Sequence, residues 1–139
     1  MKTIIKVTLV AATLSVSANA FAGWQYVQGS CLFTSDNDKA QLLVTAHPGV
    51  ALIDKSKACT KGGIKKTSFE YDGQTYVTME VCNLDNNFPN PIVSIDKGVQ
   101  QMMIRDLEAD RFAKITLSGN TFQASGKQMY SACRALFRN

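Results

Sequence analysis

The chain has 139 residues, 45% of them hydrophobic and 19% charged, with four cysteines, one histidine and a formal net charge of +4. That length suits one ordinary domain with a single core of modest margin. Setting aside Lys2 and Lys6, which fall in the expected leader, 13 basic residues face 11 acidic ones. So small an excess gives no global attraction to nucleic acid or to a membrane surface.

The chain opens with a basic start, Met1-Lys2-Thr3-Ile4-Ile5-Lys6, then an apolar run over residues 7–16, then Ala18-Asn19-Ala20-Phe21-Ala22. That order predicts a secretory signal peptide over residues 1–22, cut after Ala20 or Ala22. The apolar run is too short to span a bilayer, and no cysteine near the cut offers a lipid attachment point. The expectation is a periplasmic or secreted protein with one exported domain over residues 23–139.

Residues 24–34 read as a strand, and Ser35-Asp36-Asn37-Asp38 as a turn whose short polar side chains bond nearby backbone. A second strand is expected over 41–46, a break at His47-Pro48-Gly49, and a third strand over 50–55. The strongest local signal is Asp72-Gly73 between residues 66–71 and 74–82, the preferred pair for a two-residue hairpin turn. In that register Phe69 faces Tyr76 and Lys65 faces Glu80, an aromatic pair and an opposite-charge pair. A loop follows over 84–91, containing Asp85-Asn86-Asn87 and Phe88-Pro89-Asn90-Pro91, then a short strand over 92–95.

Val99, Met102, Met103 and Leu107 fall near one face of a helix over 99–109, with Asp96 ahead as its cap. A strand over 112–117, a turn at Gly119-Asn120 and a short segment around Phe122 lead to the last element. There Ser125 and Gln128 form a capping box. Met129, Ala132, Cys133, Leu136 and Phe137 share one apolar helix face. These elements predict an α+β domain: an antiparallel β-sheet or sandwich-like core with two late helices, stabilised by disulfides.

Cys31, Cys59, Cys82 and Cys133 all lie beyond the leader. An even number in an exported chain predicts two disulfides. Three pairings are open, with Cys59–Cys82 plus Cys31–Cys133 slightly preferred. The spacings match no zinc module and there is no Cys-x-x-Cys, so neither a metal, another cofactor nor thiol redox chemistry is expected.

His47 is the one histidine, so any histidine-based triad must run through it. A base also needs a nucleophile and an orienting group, and none is indicated; an exposed turn histidine is the ordinary reading. Asp36, Asp38, Asp85, Asp96, Asp106, Glu108 and Asp110 could supply an acid–base pair of the glycosidase kind, but solubilising and capping roles account for them. Asp36-Asn37-Asp38 lacks the glycine and closing glutamate of a calcium loop.

The densest charge is Lys55, Lys57, Lys61, Lys65 and Lys66, opposed within that stretch by Asp54 alone, with Gly62-Gly63 in the middle. It offers a landing site for an anionic envelope component or an acidic protein face. The competing explanation is a solvated loop whose lysines protect a sheet edge from aggregation. No stacking motif accompanies the lysines, which argues against nucleic acid. Most aromatic residues fall on strands and suit a core; Trp24, Tyr26 and Phe88 are the candidates for exposed contacts. Phe88, in the proline loop, is the second candidate surface.

Three pieces carry a further likeness. Pro48-Gly49-Val50-Ala51-Leu52 ends one strand, Tyr71-Asp72-Gly73 leads to the Cys82 strand, and Phe122-Gln123-Ala124-Ser125-Gly126 enters the terminal helix. Over about residues 41–138 this order resembles small periplasmic proteins of the invasion-associated locus B type. The Gly-Cys pairing usual after the cysteine strand is missing, and Cys133 is an addition. The resemblance implies an exported β-rich binding-type domain and supplies no catalytic residues. The expected function is therefore a non-enzymatic exported binding protein, for example an inhibitor or immunity protein acting on an envelope-targeting enzyme. The alternatives are an accessory subunit of an envelope or secretion assembly, or a small carboxylate-dependent hydrolase.

Overall fold

The computed structural model describes residues 23–46, 49–84 and 89–137. The expected signal peptide, the His47-Pro48 break and the Asp85–Phe88 part of the proline loop lie outside the described residues. Nine strands form one antiparallel sheet: β1 (Gly23–Val27), β2 (Ser30–Thr34), β3 (Ala40–Thr45), β4 (Gly49–Asp54), β5 (Gly63–Tyr71), β6 (Gln74–Cys82), β7 (Ile92–Val93), β8 (Phe112–Leu117) and β9 (Asn120–Ser125). Two helices come late, α1 (Lys97–Glu108) between β7 and β8, and α2 (Gly126–Ala132) after β9. The spatial order is β1-β2-β3-β4-β7-β6-β5-β8-β9. This is the α+β class expected, an antiparallel sheet with two late helices and two disulfides.

Strict alternation builds that core. On β3 and β4 the inward residues are Ala40, Leu42, Val44 and Val50, Leu52, Asp54, because successive side chains on a strand point to opposite faces. Ala113, Ile115 and Leu117 on β8 and Phe122 and Ala124 on β9 supply the facing wall. The two ends of the sheet curl toward each other: Phe33 on β2 stacks on Phe122 on β9 at 5.5 Å between ring centres. The Trp24 indole packs edge-on against Phe33 and donates to the Ser125 carbonyl at 2.8 Å.

Both preferred disulfides are formed. Cys31–Cys133 is fully buried and ties β2 to the residue after α2, closing a loop of 102 residues in sequence separation. Cys59–Cys82 joins the lysine loop to the end of β6 across 23 residues. Helix α1 begins as expected at Asp96, whose carboxylate accepts from the Gly98 amide at 3.0 Å, and buries Val99, Met103 and Leu107.

Four expectations about elements are corrected. Residues 24–34 form two strands, not one, because Gln28 and Gly29 both take positive φ (46° and 81°) and close a two-residue turn. Glutamine rarely marks such a turn, so its signal is weak. Strand β5 starts at Gly63 and pairs with β6 along its whole length. Trp24 is packed and hydrogen-bonded rather than presented to solvent, whereas Tyr26 is exposed. The terminal helix ends at Ala132, and residues Arg134–Phe137 form a 3-10 turn. Its cap is as expected, with the Ser125 hydroxyl accepting from the Gln128 amide at 3.2 Å, and Met129, Cys133 and Leu136 are buried while Ala132 is exposed. The helix begins against α1: a side chain on Gly126 would place its Cβ 2.0 Å from the Leu107 carbonyl oxygen.

Candidate functional site

The lysine loop runs from the end of β4 to the start of β5. Asp54, the last inward residue of β4, is only 1% exposed and gathers the loop around itself. It accepts from the Ser56 amide at 3.0 Å, the Ser56 hydroxyl at 2.5 Å and the Ser118 hydroxyl at 2.5 Å. Lys57 reaches over both inner carboxylates, with its ammonium 2.9 Å from Glu80 Oε1 and 3.8 Å from Asp54 Oδ2. Glu80, on β6, is 4% exposed. A buried carboxylate needs such a partner, and the hydrogen bond to Glu80 raises the Lys57 pKa above its ordinary 10.5.

Farther along, the Asn90 side chain donates to the Lys57 carbonyl at 2.7 Å and the Cys59 amide donates to the Pro89 carbonyl at 2.8 Å. Together with Cys59–Cys82, these bonds fasten the loop to the proline segment and to β6. The two surfaces singled out in the sequence, the lysine stretch and the proline loop, are therefore neighbours. Phe88 itself lies outside the described residues.

Lys57, Lys61, Lys65, Glu80, Cys82 and Pro91 help line a cleft of about 470 Å³ on the inner side of the β5–β6 hairpin. On the outer side a shallower cleft of about 410 Å³ is lined by residues 62–64 and 81–84. The start of β5 stands between them.

The five lysines divide into two groups. Lys55 is spent on Asp38, at 2.7 Å, and Lys57 on Glu80 and Asp54. Among the described residues, Lys61, Lys65 and Lys66 form no salt bridge, and all three are exposed. The register expected between Lys65 and Glu80 is present, but the carboxylate is paired with Lys57 instead. The loop brings a closer ammonium over the buried oxygen and leaves Lys65 outward.

Among the described residues, the carboxylates suited by type to acid–base chemistry do not converge. Asp36 and Asp38 sit in the β2–β3 turn, and Asp96 caps α1. Asp106 accepts a short hydrogen bond from the buried Tyr71 hydroxyl and lies 3.6 Å from Arg111. Glu108 and Asp110 are exposed at the end of α1, and Asp85 and His47 lie outside the described residues. Burial first, then the bond to Asp106, pushes the Tyr71 phenol well above its usual value of 10. Among the described residues no group of three histidine, cysteine or acidic side chains is placed to hold a metal ion. No helix there is long and apolar enough to cross a membrane.

The sequence does not mark the buried carboxylates Asp54 and Glu80 as a pair. Alternation held the signal: Asp54 continues the inward series of Val50 and Leu52, and Glu80 shares its face with Tyr76 and Phe69. Comparison of the chain with family models, with curated proteins and with solved structures gives no match.

Proposed function

We propose that this is an exported, non-enzymatic binding protein of the bacterial envelope compartment. In this reading it holds an acidic partner at the lysine-bearing start of β5. The observation that carries it is the set of three exposed ammonium groups, Lys61, Lys65 and Lys66, with no carboxylate of the described residues spent on them. Lys61 stands on a loop fixed by a disulfide and by the Asp54 network, and Lys65 and Lys66 on β5, paired to β6. Rigid presentation lowers the ordering cost of binding. Two disulfides in a small domain suit an oxidising compartment, as do the leader-like first 22 residues and the resemblance to invasion-associated locus B proteins. An inhibitor or immunity protein is the specific form this reading favours.

A second reading, an accessory subunit of an envelope assembly, draws support from the exposed apolar side chains of the outer face, Ile64 at 64% and Val77 at 69%. The hydrolase alternative would have to use Glu80 and Asp54, which are already satisfied by Lys57, Ser56 and Ser118.

The test is affinity capture from native periplasm, with the mature protein and its Lys61→Glu/Lys65→Glu/Lys66→Glu variant as baits. A stoichiometric acidic partner held by the first and lost by the second is expected. Equal retention by both refutes the site. A turnover that disappears in a folded Glu80→Gln variant would replace this reading with the hydrolase.

A further inference from the structure

Strand β5 is paired on both sides only near the hairpin turn. Its neighbour β8 meets it at Glu70↔Thr116 and Tyr71↔Ile115, and the Asp72 amide donates to the Lys114 carbonyl at 2.9 Å. Beyond Thr116, β8 leaves. The chain turns at Ser118, and the Ser118 hydroxyl is drawn across to Asp54 on β4. The edge of β5 over residues 64–68 is thereby left without a neighbouring strand among the described residues.

Which backbone groups face that edge follows from the turn. A two-residue turn makes Tyr71 and Gln74 a hydrogen-bonded pair, so residues 63, 65, 67, 69 and 71 exchange bonds with β6. Ile64, Lys66 and Ser68 therefore direct their N–H and C=O groups outward, in line with Glu70 and Asp72, which do bond β8. Their side chains lie on the outer face, and those of Lys65 and Thr67 on the inner face, where Lys65 helps line the larger cleft.

An apolar row leads to this edge across four strands. Ile53 on β4 pairs with Ile92 on β7, Ile92 with Val81 on β6, and Val81 with Ile64. The row ends at Ile64, which is exposed. A second copy is a poor occupant. Antiparallel self-pairing centred on the open stretch sets Lys66 against Lys66 or Lys65 against Lys65, and like charges directly opposite are unfavourable.

The geometry points to strand addition: the open edge of β5 takes an extended segment of a protein partner that presents adjacent acidic residues to Lys65 and Lys66 and an aliphatic residue to Ile64. Main-chain bonds to Ile64, Lys66 and Ser68 supply affinity, and the alternating side chains supply selectivity. Because Lys65 and Lys66 lie on opposite faces of one strand, two consecutive acidic residues answer both. An antiparallel segment would read acidic, acidic, aliphatic in its own direction. This inference rests on the binding reading above and specifies its partner and mode.

The test uses the mature full-length protein and a fluorescent, end-blocked peptide whose centre reads threonine–threonine–glutamate–glutamate–valine, with anisotropy as the readout. The Lys65→Glu/Lys66→Glu variant, shown by circular dichroism to be folded, should bind about tenfold or more weakly. Methylating the peptide amides of the first glutamate and of the valine, which face β5, should also weaken binding about tenfold, since two main-chain bonds are lost. Methyl groups moved to the intervening amides should leave affinity within about threefold, because those amides point away. Equal loss from both methylation patterns, or none from either, overturns strand addition in favour of charge alone. So does binding to phosphatidylglycerol vesicles without binding to the peptide, or a dimer that forms in place of the peptide complex. If the peptide fails while native capture still depends on Lys61, Lys65 and Lys66, strand addition falls and the binding function stands. If both fail, both fall.

Discussion

Where β1 meets β9, Trp24, Phe33 and Phe122 interlock, the indole is hydrogen-bonded, and a buried disulfide joins β2 to the end of α2. Along the β5–β6 hairpin, the same alternating pattern leaves Ile64 and Val77 in solvent, and a half-buried disulfide, ion pairs and a clamped loop hold its open end. The first region is closed by ring packing, an indole hydrogen bond and a buried disulfide. In the second, cations and backbone groups are held still without being used. Burial makes the scaffold, and incomplete pairing leaves the candidate site.

That contrast can be broken most severely at the disulfides. Cys31→Ala/Cys133→Ala should cost about 4–5 kcal/mol of unfolding free energy, because the bridge closes a loop of about 100 residues in the unfolded chain. Cys59→Ala/Cys82→Ala closes a shorter loop and should cost about 3 kcal/mol, with near-ultraviolet circular dichroism of the Trp24 cluster unchanged. Urea unfolding of the two variants checks the order. A reversed order would place the structural anchor at the lysine loop.

Next in size is the alkaline limb of the stability curve. Burial and Asp106 raise the Tyr71 pKa, burial raises that of Tyr130, and the bond to Glu80 raises that of Lys57 above 10.5. In each case the folded state keeps a proton that the unfolded chain releases, so stability falls as pH rises. The tyrosine contributions are complete below pH 10 and decline above it; that of Lys57 is complete below 10.5 and is lost through its raised value. Unfolding free energy should therefore drop from pH 10 upward, and Tyr71→Phe should flatten the slope. Tyr71→Phe should also cost about 1.5–3 kcal/mol at neutral pH, where a hydrogen bond to a charged group is removed from a buried side chain. An unchanged slope would mean that Tyr71 does not hold its proton against Asp106.

Much of the scaffold was legible because its signals are local. Asp72-Gly73, the Asp96 cap, the Ser125 capping box and the alternation on β3 and β4 each depend on neighbours in sequence. The site was legible as composition but not as geometry. Nothing near Lys57 indicates that it would cover Glu80, 23 positions away, or that Lys65 would lose that carboxylate to it. The open edge was invisible for the same reason. It exists because β8 meets β5 only at Glu70 and Tyr71 and then ends in the Ser118-Gly119 turn, a register between distant strands that no local signal specifies. The Gln28-Gly29 turn was missed on different grounds, since glutamine adopts positive φ there without the usual turn chemistry.

The smallest expected effect on stability separates protection of the edge from its use. Lys65→Thr/Lys66→Thr changes two exposed residues that form no salt bridge among the described residues, so unfolding free energy should move by less than about 0.5 kcal/mol. Association should respond differently. With the like-charge penalty gone, two β5 edges can pair through Ile64, Lys66→Thr and Ser68, and threonine suits a strand. Sedimentation velocity should then show a concentration-dependent dimer for the variant and a monomer for the parent chain, together with loss of the acidic peptide. One pair of lysines would thus reject a copy of the chain and admit an acidic strand at the same edge. A variant that stays monomeric while keeping the peptide would show that neither property depends on them.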